Sequence, residues 1–347
     1  MDDKNKYMPR HASLDDTQKF FKDDLSNSRV IRNLNKINDN SIHNDNNNNN
    51  DNKDNNEEGF WTSKIKLVKG YDQEKEKKSY NKVLKIIYVI FIILFLILFA
   101  FSCYKIYLWL MDNKKTDSIT DIINDKVTIK DVDDENATLV SEEDDKDNPY
   151  WYYIKFPLID VDISSLKKIN SDVIGWINVN NTNINYPFVQ TTDNEYYLNH
   201  SIDKSINEAG WIFLDYRNSS DFDNKNSILY AHSRLNKTMF GSLSKVLKEN
   251  WYRNEDNHII RISLDKSSSL WQIFSVYKIK EENYYITTNF SNNEEYLKFL
   301  DTLKKRSLYD FNTTLKEDDK ILTLSTCYSE TERTVVHAKL IKKSKKD

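Results

Sequence analysis

Hydrophobic and polar positions divide the chain into four stretches of unlike pattern. Residues 1–82 are polar almost throughout. Ser13-Leu-Asp-Asp16 is suited to cap a short helix with Phe20, Phe21 and Leu25 on one side. Residues 38–56 are Asn/Asp low complexity, too poor in apolar groups to fold. This first stretch is expected to be largely disordered. Residues 83–111 are the opposite: Ile86 to Tyr104 holds nineteen residues without a charge. At about 1.5 Å per residue a helix of that length nearly matches a hydrocarbon core of about 30 Å. A signal peptide would be shorter, nearer the start and followed by a small-residue cleavage site, so one uncleaved membrane anchor is predicted. Lys75, Lys77, Lys78, Lys82 and Lys85 precede it and Lys105, Lys114 and Lys115 follow, a bias that places the N-terminus inside. Residues 112–148 turn acidic and are expected to be a solvated linker. Asp131-Val-Asp-Asp-Glu-Asn136 lacks the glycine that a calcium loop needs.

From Pro149 the pattern becomes that of a globular domain, 149–347. Ile163 to Ile169 reads as a short helix. Strands are predicted at 172–179, 184–189, 209–216, 227–231, 258–264, 270–279, 321–326 and 334–340, most with apolar side chains at alternate positions. Ser291-Asn-Asn-Glu294 has the form of a capping box, and Tyr296, Leu297, Leu300, Leu303 and Leu308 follow at helical spacing. Eight or so strands with few helices predict a mostly β fold, a closed or nearly closed eight-stranded barrel with helical decoration.

Composition removes several function classes. A net charge of -4 gives no footprint for nucleic acid. Five glycines form no phosphate-cradling loop. There is no CxxC, HExxH or clustered Cys/His set, so neither metal nor cofactor is expected. Of the two cysteines, Cys103 lies in the apolar run, and no disulfide is expected. Cys327 ends one predicted strand and Arg333 begins the next, after a polar reversal. A guanidinium favours the thiolate, which is the nucleophile, and can stabilise an oxyanion if that thiolate attacks a carbonyl. Alone, such a cysteine is more often a buried small hydrophobe. A proton carrier must come from six histidines. His11 and His43 lie in the polar N-terminal stretch, His200 reads as a loop residue, His258 as opening a strand, and His337 as structural or exposed. His232 ends the apolar run Ser227-Ile-Leu-Tyr-Ala just as the chain enters a polar loop, where scaffolds place working side chains.

Leu324-Ser-Thr-Cys327 with Arg333-Thr-Val-Val, and Tyr230-Ala-His232 upstream, resemble the core motifs of the sortase transpeptidases. Asp193-Asn194-Glu-Tyr-Tyr197-Leu198 and Ile212-Phe-Leu-Asp-Tyr-Arg-Asn218 are similar to the class B subgroup, and the resemblance runs from about Tyr150 to Leu340. The helix after Ser291 falls between the sixth and seventh strands, as in class B members. The resemblance implies a cysteine transpeptidase of a Gram-positive cell membrane, single-pass, N-terminus cytoplasmic and catalytic domain extracellular. Cys327 would be the nucleophile, His232 the acid and base, and Arg333 the oxyanion and substrate holder. Asn194, Leu198, Ser325 and Thr326 would be substrate contacts. The implied partners are surface proteins with a C-terminal LPXTG- or NPXTN-type sorting signal, and a peptidoglycan-precursor amine as acceptor. A pilin polymerase joining subunits through a lysine amine, a cysteine peptidase and a non-catalytic membrane-anchored binding protein are the alternatives. The chain departs from the family in Ala231, where many members carry Gly, in the short 328–332 reversal and in the long polar N-terminal stretch.

Overall fold

The computed structural model describes residues 57–132, 137–140, 143–327 and 332–346, with side chains from Lys75 onward and Cys327 by its backbone alone. The expectations for residues 1–56, for 133–136 and for the reversal at 328–331 lie outside the described residues. Two compact units, Met1–Phe91 and Ile92–Asp347, are described separately. Helix α1 (Glu57–Lys126) forms the described part of the first unit and opens the second. By length and composition it is able to cross a membrane. From Val83 to Met111 its large apolar side chains, Leu108 excepted, stand exposed.

Residues 112–148 carry more structure than their acidic pattern conveys. Within the second unit α1 continues to Lys126, burying Asn113, Thr116 and Ile123. That spacing keeps one helical stripe against the domain, with Ile119 packed beside Ile123. Two short strands follow, β1 (Ile129–Val132) and β2 (Thr138–Leu139). Glu143, in the acidic run, is buried and binds Lys339 Nζ at 2.8 Å.

Next come α2 (Tyr150–Tyr153), β3 (Leu158–Val161) and α3 (Ile163–Lys167), the last capped by Asp162, whose carboxylate accepts from Ser165 N. Then follow β4 (Val173–Val179), β5 (Asn185–Val189), β6 (Phe213–Leu214) and β7 (Asn226–Ala231). After α4 (Glu249–Tyr252) come β8 (Ile259–Leu264) and β9 (Ser267–Lys280). Helix α5 (Asn293–Lys305) precedes β10 (Ile321–Cys327) and β11 (Glu332–Lys345). The strands pair in the order β10-β7-β6-β5-β4-β8-β9-β11, and β10 pairs with β11 to close an eight-stranded barrel. β2 adds to the outer part of β11, and β1 pairs with β3. The third predicted strand, 209–216, is two residues long, because Gly210 takes a positive φ of 59° just before it.

Alternation fills the barrel as the pattern requires. Leu322 and Leu324 of β10 and Val336, Ala338 and Leu340 of β11 join Trp176, Phe188, Trp211 and Trp271 in the central core. The other face of the same strands supplies Ile321 and Val335 to a second cluster beneath α5. On that helix the buried residues are Tyr296, Phe299, Leu300 and Leu303, while Leu297 is exposed and Leu308, also exposed, lies past its end. Its cap is also one residue later than the sequence pattern implies. Asn292 accepts from Glu295 N at 2.9 Å, and Glu295 reaches back to Ser291 N at 2.7 Å.

Candidate active site

Strand register assembles the candidate site. β7 and β10 run parallel with Thr326 opposite Ala231, so the next residues, Cys327 and His232, leave the two strands level with each other. β10 and β11 are antiparallel with Cys327 opposite Arg333. Two strand ends and one strand start therefore meet on a single rim of the barrel. A cleft of about 200 Å³ opens there, lined among others by Asn194, Leu198, His232, Tyr285, Thr326 and Arg333. A roomier hollow of about 690 Å³ beside β1 and β3 is walled by Lys126, Asp160 and Asp162 and has neither thiol nor imidazole. Chemistry, rather than volume, selects the rim.

His232 Nε2 lies 2.7 Å from the carbonyl of Leu198. A carbonyl can only accept, so Nε2 carries the hydrogen and Nδ1 is the nitrogen left for proton transfer. The loop that brings Leu198 to the histidine turns at Gly210. A Cβ there would stand 2.5 Å from Tyr197 O and 3.1 Å from the His232 ring. Glycine is required at that position by both φ and space. The Arg333 side chain is one-fifth exposed and pairs with Glu281 at 3.2 Å.

Behind the histidine strand lies a buried carboxylate. Burial raises the pKa of Asp215, yet hydrogen bonds from Arg217 and Tyr230 hold it below the ordinary carboxylate range. Arg217 grips it with Nε and Nη2 at 2.9 and 2.7 Å, and the Tyr230 hydroxyl donates at 2.9 Å. Arg217 also donates to Ile286 O in the cleft wall at 3.0 Å. The network thus fixes Tyr230, two residues before His232, against the loop opposite.

The four expected substrate contacts all line the cleft. Asn194 already uses its amide oxygen to accept from Tyr216 N at 3.0 Å. Leu198 is well exposed, as an apolar pocket residue must be. Ser325 and Thr326 are buried, and Ser325 Oγ is 2.9 Å from the Tyr285 hydroxyl. Sequence reasoning missed Tyr285 and Glu281, which come from the segment after β9. The run Glu281-Glu-Asn-Tyr-Tyr-Ile286 has no strand or helix period, so nothing marked it beyond its aromatics.

The remaining described histidines are held elsewhere. His200 stacks on Tyr196, with ring centroids 4.0 Å apart. His258 is buried between Tyr153 and Tyr252 O, and burial lowers its pKa to about 4. His337 is buried, not exposed, between Tyr277 and Thr323, and burial, reinforced by Arg306, lowers its pKa to about 3. Among the described residues no three His, Cys, Asp or Glu side chains converge as a metal site would require.

The Sortase domain family model matches residues 177–341. Sortase B of Listeria monocytogenes is 32% identical over 254 residues, 71% of this chain and 93% of that protein. Sortase B of Staphylococcus aureus is 41% identical over 184 residues, 52% of this chain and 75% of that protein. The solved structure of sortase B from Bacillus anthracis in complex with AAEK1 superposes with a TM-score of 0.53 at 32% identity, covering 67% of this chain and 99% of that one.

Proposed function

This chain belongs to the sortase family, is class B-like, and is a sortase transpeptidase; from that premise we propose a membrane-anchored enzyme that works through a Cys327 thioacyl intermediate. The donor is a surface protein with a C-terminal sorting signal of the LPXTG or NPXTN type. Cys327 Sγ attacks the carbonyl of the signal's threonine, and Arg333 stabilises the oxyanion. The C–N bond breaks while the imidazolium of His232 protonates the departing amine. An acceptor amine, from a peptidoglycan precursor, then attacks the thioester. His232 removes its proton, the C–S bond breaks and the thiolate returns. One amide is exchanged for another, so the sequence of steps consumes neither ATP nor water. Asn194 would hold the signal's backbone, and Leu198 its second residue.

The observation that supports this reading is the register that ends β7 and β10 level and starts β11 opposite. The length and apolar composition of α1 support the anchor, and the lysine bias around it favours a cytoplasmic N-terminus with the barrel outside.

The test incubates the full chain, in detergent micelles, with quenched peptides ending in LPXTG- and NPXTN-type signals, with and without triglycine. A domain cut at Asn148 would lose β1, β2 and Glu143, so the full chain is used. A triglycine adduct by mass spectrometry, absent in Cys327→Ala, is expected. Hydrolysis with no adduct at any triglycine concentration would mean a peptidase. An adduct formed equally well by Cys327→Ala would end the thioacyl mechanism.

A further inference from the structure

Ile206 and Leu235 are the most exposed large hydrophobic side chains described, at 77% and 83%. One exposed aliphatic needs no explanation. These two, however, share a position: each adjoins a residue that fastens α1 to the domain. Asn207 Nδ2 donates to Thr116 Oγ1 at 3.0 Å, and Arg234 Nη2 donates to Asn113 Oδ1 at 2.5 Å. Lys115 Nζ donates to the carbonyl of Ile206 itself at 3.2 Å.

The contacts fix the height of both loops along the helix. Met111 is the last residue of the apolar stretch, and at about 1.5 Å per residue Asn113 lies about 3 Å beyond it and Thr116 about 7.5 Å. Tyr104, Tyr107 and Trp109 precede this level on α1, all exposed. Such aromatics collect where acyl chains meet headgroups, and a lysine such as Lys114 or Lys115 follows them at the polar side. A lipid surface at the end of the apolar stretch therefore lies beside both loops.

We propose that Ile206 and Leu235 enter the headgroup layer of the leaflet from which α1 emerges, giving the domain two lipid contacts besides its anchor. The proposal rests on the reading of α1 as a membrane span. It has a consequence for the rim, because the first loop begins just after Leu198 and the second just after His232. Lipid contact there holds the candidate site at a fixed height and tilt over the membrane.

The test uses the full chain carrying Cys103→Ser and Cys327→Ala, reconstituted in phosphatidylcholine–phosphatidylglycerol vesicles. Ile206→Cys, Leu235→Cys, Leu96→Cys and Lys298→Cys are each labelled with an environment-sensitive fluorophore, and lipids spin-labelled near the headgroup or deep in the chain are added. Leu96 reports the span and Lys298, exposed on α5, reports water. Labels at 206 and 235 are expected to shift to the blue and lose intensity with the shallow quencher, while the Lys298 label does neither. Deep quenching at 96 with water-like emission at both 206 and 235 overturns the proposal and leaves the anchor standing. Absence of quenching at 96 overturns the anchor itself. A second variant, Ile206→Asp with the label at 235, is expected to weaken quenching there; unchanged quenching would show that the two residues do not act as one contact.

Discussion

Two histidines on neighbouring parts of one barrel are used in opposite ways. His232 leaves the end of β7 at the rim, half-buried, with one ring nitrogen on a backbone carbonyl. His337 lies four residues beyond Arg333 on β11, wholly buried in the wall. Its partners form a complete relay. Thr323 donates to Asn226 Oδ1 at 2.7 Å and so accepts from His337 Nδ1, which leaves Nε2 to accept from Tyr277 at 2.8 Å. Asn226 then donates to Tyr285 O and Thr287 O at 3.2 and 2.9 Å, in the segment that walls the cleft. In the proposed mechanism the rim histidine exchanges a proton, whereas the wall histidine is bonded so that it stays neutral. The difference teaches that distance from the strand end, not residue type, separates chemistry from architecture here.

Substitutions at the rim should remove activity and spare stability. Cys327→Ala is expected to abolish transpeptidation with an unchanged melting curve; turnover above background would refute the nucleophile. His232→Gln should lower kcat by about 10²–10⁴-fold, and single-turnover kinetics should put the loss in the chemical step. Arg333→Lys should lower kcat/KM by about 10²–10³-fold, since an ammonium does not reproduce the guanidinium fork. Equal rates for Lys and Arg would remove the oxyanion role.

Substitutions in the wall should do the reverse. Lys339→Met deprives Glu143 and Asp319 of a buried cation at 2.8 and 3.4 Å. Breaking a buried ion pair in this way costs about 3–5 kcal/mol, readable as a lower denaturant midpoint. Acid should destabilise through the buried histidines. His258 and His337 titrate at about 4 and 3 when folded, against an ordinary 6.5. The unfolded chain therefore binds more protons below 6.5, and stability, complete above that pH, falls as pH drops towards 4 and then 3. Each histidine contributes a slope of about 1.4 kcal/mol per pH unit. Chemical denaturation between pH 7 and 4 should show the slope, and His337→Gln should reduce it by one proton's worth.

Much of this division was legible in the sequence. Alternating Leu322, Leu324, Val336, Ala338 and Leu340 marked the wall, and a thiol and a guanidinium flanking a polar reversal marked the rim. Position along a strand is a local property, and local pattern carries it. The relay around His337 was not legible, because Thr323, Asn226 and Tyr277 meet only through pairing across the barrel. The 112–148 stretch was misleading for a related reason. Its acidic composition is that of a solvated spacer, yet Glu143 answers a buried lysine nearly two hundred residues away. The α1 stripe of Asn113, Thr116 and Ile123 is mostly polar, so it left no apolar period to read. Tyr285 stayed hidden because its segment follows no period at all.

The parallel pairing of β7 with β10 also sets a condition for the proposed reactivity. It joins Ile321 to Asn226, residues 95 positions apart (321 − 226), and contacts of such separation are slow to form. The β4–β5 and β8–β9 pairings, by contrast, join strands that are neighbours in sequence. Until β10 slides between β7 and β11, imidazole, thiol and guanidinium belong to separate pieces of polypeptide. Under the proposed mechanism, a chain in which this long-range pairing has not formed is therefore inert.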